Sequence, residues 1–111
     1  MTTHAERQAK ILDDVRRERD AQDALFGIQD LPDGTGPEFD EDATVYADCY
    51  RQACEEAFAE GRGTFRHVFL EEVFEAMAES DPVKLRAELI QAIAVGVKWI
   101  EALDRSTEDQ S

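Results

Sequence analysis

The stretch Phe65-Arg66-His67-Val68-Phe69-Leu70-Glu71-Glu72-Val73-Phe74-Glu75-Ala76-Met77 decides the class of fold. At roughly 100° per residue, Phe65, Phe69, Leu70, Val73, Phe74 and Met77 gather into one wide apolar arc, the mark of an amphipathic helix. Ala76 sits at one edge of the arc and Val68 just beyond it. Glu72 falls between those two, at the rim of the surface to be buried, with Glu75 and Glu79 close by and Glu71 turned further toward solvent. A carboxylate at a buried rim is costly unless it is paired or holds a cation. Arg66, Arg86 and Lys98 are the available ion-pair partners, so Glu72 is the residue that most needs a partner or a ligand.

Working outward, Thr64 offers an N-cap oxygen to this helix, and Gly61 and Gly63 end the one before it. That earlier helix is expected over 44–60, because Tyr46, Cys49, Tyr50, Ala53, Ala57 and Phe58 recur mostly at three- and four-residue steps. On the other side, Asp81-Pro82 is a restart signal, with Asp able to cap and Pro suited to the first helical position. A last helix is expected over 82–104, followed by a frayed tail at 105–111. Its apolar face comprises Leu85, Leu89, Ile93, Val97, Ile100 and Leu103, with Val95 and Trp99 on one flank. Glu88 projects between Val95 and Trp99, and Gln91 lies one turn on, near Lys98.

The N-terminal part reads as a charged helix over 3–26 whose large apolar residues are few: Ile11, Leu12, Val15, Leu25 and Phe26. Between the helices, the loop 27–43 carries Pro32, Gly34, Gly36 and Pro37 with Asp33-Gly34 and Gly36-Pro37 as turn dipeptides. No turn-bounded stretch alternates with period two. The expectation is a single all-α domain over 1–111, an antiparallel helical bundle of about four helices with a three-helix core at 44–104.

Charge narrows the classes of partner. The chain of 111 residues has a formal net charge of -14, from 26 acidic and 12 basic side chains. Nucleic-acid backbones and anionic membrane surfaces would be repelled, so neither is expected as a partner. A phosphate-bearing small ligand would need a cation or a local basic group to offset the repulsion, and Arg16, Arg17 and Arg19 are the one basic cluster. No apolar run approaches the roughly 20 residues that span a bilayer, and the start of the chain has no apolar leader. Cys49 and Cys54, five apart on one helix, point apart and are expected to be reduced thiols, in keeping with a cytoplasmic protein. Two cysteines without nearby histidines are not a zinc site.

The helices at 65–79 and 82–104 each present an i, i+3 pair of oxygen-bearing side chains, Glu72 with Glu75 and Glu88 with Gln91. Packed antiparallel around the Ser80–Pro82 turn, the pairs would converge into a site for a hard divalent cation such as Mg²⁺ or Mn²⁺. The run Leu70-Glu71-Glu72-Val73-Phe74-Glu75-Ala76, followed by Leu85-Arg86-Ala87-Glu88-Leu89-Ile90-Gln91, resembles the paired EExxE and ExxD motifs of the MazG-like nucleotide pyrophosphohydrolases. Lys98-Trp99-Ile100-Glu101-Ala102 and Leu31-Pro32-Asp33-Gly34-Thr35-Gly36 are similar to the small phage and bacterial forms. The resemblance implies an all-α fold, Mg²⁺ between the two motif helices, and cleavage of nucleoside triphosphates to monophosphate and pyrophosphate. It implies metal ligation by Glu72, Glu75, Glu88 and Gln91, where Gln91 stands in place of the family's Asp, and catalysis by Glu72 and Glu75. It also implies assembly as a homodimer or homotetramer. Glu71, Glu79 and Glu101 are the nearby acids that could stand in for the missing carboxylate.

For substrate contacts, Lys98 is a candidate phosphate partner, and Trp99 and Phe26, with Tyr46 and Tyr50, are candidates for stacking on a base. Two other readings stay open: a module that binds a nucleotide without cleaving it, and a purely structural or interaction protein in which Glu72 is neutralised by an internal ion pair.

Overall fold

In the computed structural model, which describes residues 1–110, each helix begins and ends where local chemistry dictates. Thr3 caps α1 (His4–Phe26), its side-chain oxygen accepting the Glu6 amide at 3.1 Å. The charged side of α1 is stitched to itself by Lys10–Asp14, Arg16–Asp13, Arg17–Asp13 and Arg19–Asp23 pairs at 2.7–3.3 Å. The arginine cluster singled out in the sequence is therefore engaged along its own helix. Such exposed pairs contribute little, about 0.3–0.5 kcal/mol each. Gly27, at φ 71°, terminates the helix and donates its amide to the Asp23 carbonyl.

α2 (Ala43–Ala59) buries a line of small residues, Ala43, Ala47, Cys54 and Ala57, and gives way at Gly61, at φ 74°. α3 (Phe65–Met77) opens with a capping box. The Thr64 hydroxyl accepts the His67 amide, and the His67 ring nitrogen accepts the Thr64 amide, each at 3.2 Å. His67 is thus committed to helix initiation. α4 (Pro82–Gln110) starts as expected, with the Asp81 carboxylate accepting the Lys84 amide at 3.0 Å. It runs past the tail expected to fray: 105–110 continue the helix, and Ser111 lies outside the described residues.

The described residues form four helices and no strand. They fall into two compact units, one of residues 1–32 with 97–110 and one of residues 33–96. In the first unit Ile11 is buried, and a polar seam joins α1 to the end of α4. Arg7 pairs with Glu108, and the Gln8 amide donates to the buried Glu101 carboxylate at 3.2 Å.

In the second unit α2 packs on α3. Tyr50 stacks on Phe74 with ring centroids 4.3 Å apart, and Tyr46 meets the same ring edge-on at 6.3 Å. These tyrosines are tied into the α2–α3 contact, which explains their helical spacing without a bound base. α4 approaches α3 closely where Gly96 faces Phe69: a Cβ there would lie 3.4 Å from the Phe69 ring. Ala57 and Ala76 are fully buried, and among the described residues no large side chain is. Much of the expected α4 face is correspondingly uncovered: Leu85 is buried, while Leu89, Ile93, Ile100 and Leu103 are exposed.

The loop before α2 does more than connect. The Gly36 amide donates to the Met77 carbonyl at 2.9 Å, and the Thr35 hydroxyl to the Glu79 carbonyl at 2.6 Å. The Ser80 hydroxyl donates to Glu38 at 2.5 Å. Carbonyls at a helix C-terminus have no partner within the helix, and here a distant loop supplies them. Gly36 is required for this: it sits at φ 87°, and a Cβ would collide with the Ser80 side chain.

Candidate metal centre

The carboxylates that the sequence placed at the rim of α3 meet one from α4. Glu72 and Glu75 are one turn apart on α3, and the Asp81-Pro82 restart brings Glu88 alongside them. One oxygen from each of the three lies within 4.8 Å of the others, and all three side chains are half-buried. This is the only such cluster of three among the described residues. Oxygens on opposite sides of a shared Mg²⁺ lie about 4.2 Å apart, twice a metal–oxygen distance of roughly 2.1 Å. Adjacent oxygens on an octahedral ion sit closer still, about 3.0 Å apart, so closing the cluster on a cation takes side-chain movements of up to about 1 Å.

The arrangement is costly without a cation. One carboxylate oxygen of Glu72 and one of Glu88 are buried with no hydrogen-bond partner. Burial pushes the Glu72 carboxyl above the ordinary range, with Glu75, Glu71 and Glu88 adding repulsion. Burial also raises Glu75, helped by Glu88 and Glu71 and opposed by Arg51. The Arg51 Nε is 3.6 Å from a Glu75 oxygen, longer than a hydrogen bond, while its Nη1 donates to Asp48 at 3.0 Å. The partners considered for Glu72 in the sequence, Arg66, Arg86 and Lys98, form no ion pair with it among the described residues.

A hollow of about 280 Å³ opens beside the cluster, lined in part by Thr44, Asp48, Arg51, Glu75, Glu79 and Glu88. Of the acids weighed as replacements for the missing fourth carboxylate, Glu79 lines this hollow. Glu71 instead is half-buried and close to Cys54 of α2; burial first, and then the neighbouring Glu71 carboxylate, pushes that thiol up to about 11. Glu101 is buried against Gln8 in the other unit. Gln91 is exposed and does not line the hollow. Lys98, Trp99 and Phe26 belong to the unit of residues 1–32 and 97–110, with Lys98 and Phe26 exposed and Trp99 half-buried.

Thr44, Asp48 and Arg51 are the polar hollow residues that the sequence reading missed. Arg51 sits three residues after Asp48 on a helix read only for its apolar stripe, and an i, i+3 ion pair is an ordinary surface feature. Nothing local distinguishes it until α2 is laid against α3. No protein-family model matches this chain, and no curated protein or solved structure matches it either.

Proposed function

We propose that this chain is a divalent-cation-dependent nucleoside triphosphate pyrophosphohydrolase of MazG-like type, yielding a nucleoside monophosphate and pyrophosphate. The observation that carries the reading is the pair of unpartnered, buried carboxylate oxygens on Glu72 and Glu88, beside Glu75. Buried carboxylates persist when something compensates them, and three converging oxygens with no cationic hydrogen-bond donor suit a hard cation. The donor set is all oxygen and anionic, which favours Mg²⁺ or Mn²⁺ over softer metals.

Glu72, Glu75 and Glu88 would hold the ion. When bound, it would neutralise charge on the phosphate chain and polarise the phosphoryl group. The chain's own acids do the rest. Glu72 and Glu75 stand beside the ion's place, where a carboxylate oxygen not bound to it would orient a water and accept its proton as it attacks phosphorus. The hollow beside them would receive the phosphate chain.

The exposed side of α4, with Leu89, Ile93, Ile100 and Leu103 uncovered, supports assembly as a homodimer or homotetramer, since an apolar helix stripe is stabilised by burial. Among the described residues no helix is long and apolar enough to cross a membrane.

The test is pyrophosphate release from a panel of nucleoside triphosphates with Mg²⁺ or Mn²⁺ and a chelator control. Release that requires the cation and disappears in Glu72→Gln and Glu88→Gln is the expected result. Gln91 favours a second reading, in which the chain binds a nucleotide without cleaving it: a neutral amide stands at the motif's fourth position, and it is exposed. Cation-dependent nucleotide binding with no release across the panel would select that reading.

A further inference from the structure

A chain with net charge -14 that takes a polyphosphate into a hollow lined by Asp48, Glu75, Glu79 and Glu88 needs a cationic group besides the metal. Arg51 is the only positively charged side chain among the residues lining that hollow. Its head is held from one end only. Nη1 donates to Asp48 at 3.0 Å, which aims the guanidinium, while Nε stands off Glu75 at 3.6 Å. Among the described residues Nη2 makes no hydrogen bond or ion pair, and the side chain is 43 % exposed.

We propose that Arg51 is the phosphate-binding residue of this site, presenting the Nε–Nη2 edge of its guanidinium to the phosphate chain of a cation-bound nucleotide. The inference rests on the cation-dependent reading of the Glu72, Glu75 and Glu88 cluster and adds the group that recognises the substrate. Without a cation, the loose contact with Glu75 partly neutralises that carboxylate. With a cation on Glu75, its oxygens are engaged elsewhere, and the Nε–Nη2 edge is free to take two phosphate oxygens side by side. Arginine offers that planar bidentate geometry and lysine does not. Asp48 acts as the positioning residue, fixing the far end of the guanidinium so that the free edge faces the hollow.

The experiment is calorimetric titration of the full chain, first with Mn²⁺ alone and then with inorganic tripolyphosphate in excess Mg²⁺, for the wild type, Arg51→Gln and Arg51→Lys. Circular dichroism melts check the folding of each. The expected result is unchanged or tighter Mn²⁺ binding in Arg51→Gln, with tripolyphosphate binding about ten- to a hundredfold weaker. Arg51→Lys should fall between the two, because it keeps the charge and loses the fork. Wild-type Mn²⁺ binding with equal tripolyphosphate affinity in all three proteins would overturn the Arg51 assignment and leave the cation site standing. Mn²⁺ binding without any tripolyphosphate binding in the wild type would do the same. Absence of Mn²⁺ binding in the wild type would overturn both. Should Arg51→Gln not fold, the Arg51→Lys comparison decides: a several-fold loss supports the assignment, and none overturns it.

Discussion

Glu72 on α3 and Glu88 on α4 bring carboxylate oxygens within 4.8 Å of one another, and each buries one oxygen that no donor satisfies. Two like charges held together in this way oppose folding unless a proton or a cation intervenes. The stability of this protein should therefore depend on both.

Glu72→Gln removes one of the clustered charges at nearly constant volume. Without added cation the variant should be more stable than the wild type by about 1 kcal/mol, a rise of a few degrees in the thermal midpoint. With Mn²⁺ the order should reverse. A ligand at a hundred times its dissociation constant stabilises by about 2.7 kcal/mol, and the variant should lose most of that gain. Differential scanning calorimetry with and without Mn²⁺ reads both effects.

The pH dependence has a definite sign. Glu72 and Glu75 are raised above their ordinary value of 4.5 in the folded chain, so between that value and the raised ones the folded state binds more protons than the unfolded state. Stability contributed by these groups therefore rises as pH falls from neutral toward 4.5, and is lost as pH climbs through their folded values. Cation binding competes with those protons and should flatten or invert the slope. Urea melts across that range in chelator and in Mn²⁺ would show it. A cation-free stability that falls on acidification through the same window would contradict the assignment, provided Glu72→Gln leaves that slope unchanged.

The two thiols should differ in reactivity. Cys49 is exposed, whereas Cys54 is buried and its thiol is pushed up to about 11. Thiolate is the reactive form. At neutral pH, iodoacetamide should modify Cys49 first, with Cys54 following only on unfolding, as peptide mass mapping would resolve.

Gly36→Ala tests the loop that caps α3. The added Cβ faces the Ser80 side chain, and the backbone sits at φ 87°. Destabilisation of about 1–3 kcal/mol is expected, measured by chemical denaturation. Weaker Mn²⁺ binding should accompany it if the end of α3 shifts Glu75.

Much of this architecture was legible in the sequence, because its signals are local. Thr64 and Asp81-Pro82 mark the starts of α3 and α4, and Gly61 stops α2, all through chemistry within a few residues. Glu72 was legible as well, since helical phase alone puts it at the rim of an apolar arc. Three features were not. The place of Arg51 at the hollow emerges only when α2 lies against α3. Glu71 is half-buried and close to Cys54 of α2, where an isolated α3 suggests an outward direction. The capping of α3 by Thr35 and Gly36 joins positions some forty residues apart, beyond the reach of any local rule. The helix continues over 105–110, where fraying was expected, for a similar reason: the pairing of Glu108 with Arg7 joins opposite ends of the chain.

The same cap divides the 27–42 segment by its tolerance to change. From Thr35 onward the chain is bonded into the end of α3, so a cut or an insertion there would tear out the partners of the Met77 and Glu79 carbonyls. Ile28 and Leu31, both exposed, lie upstream of those bonds. Added chain at 28–31 would lengthen a tether at little entropic cost, making it the natural place to attach a label or a fusion partner while sparing the acidic cluster.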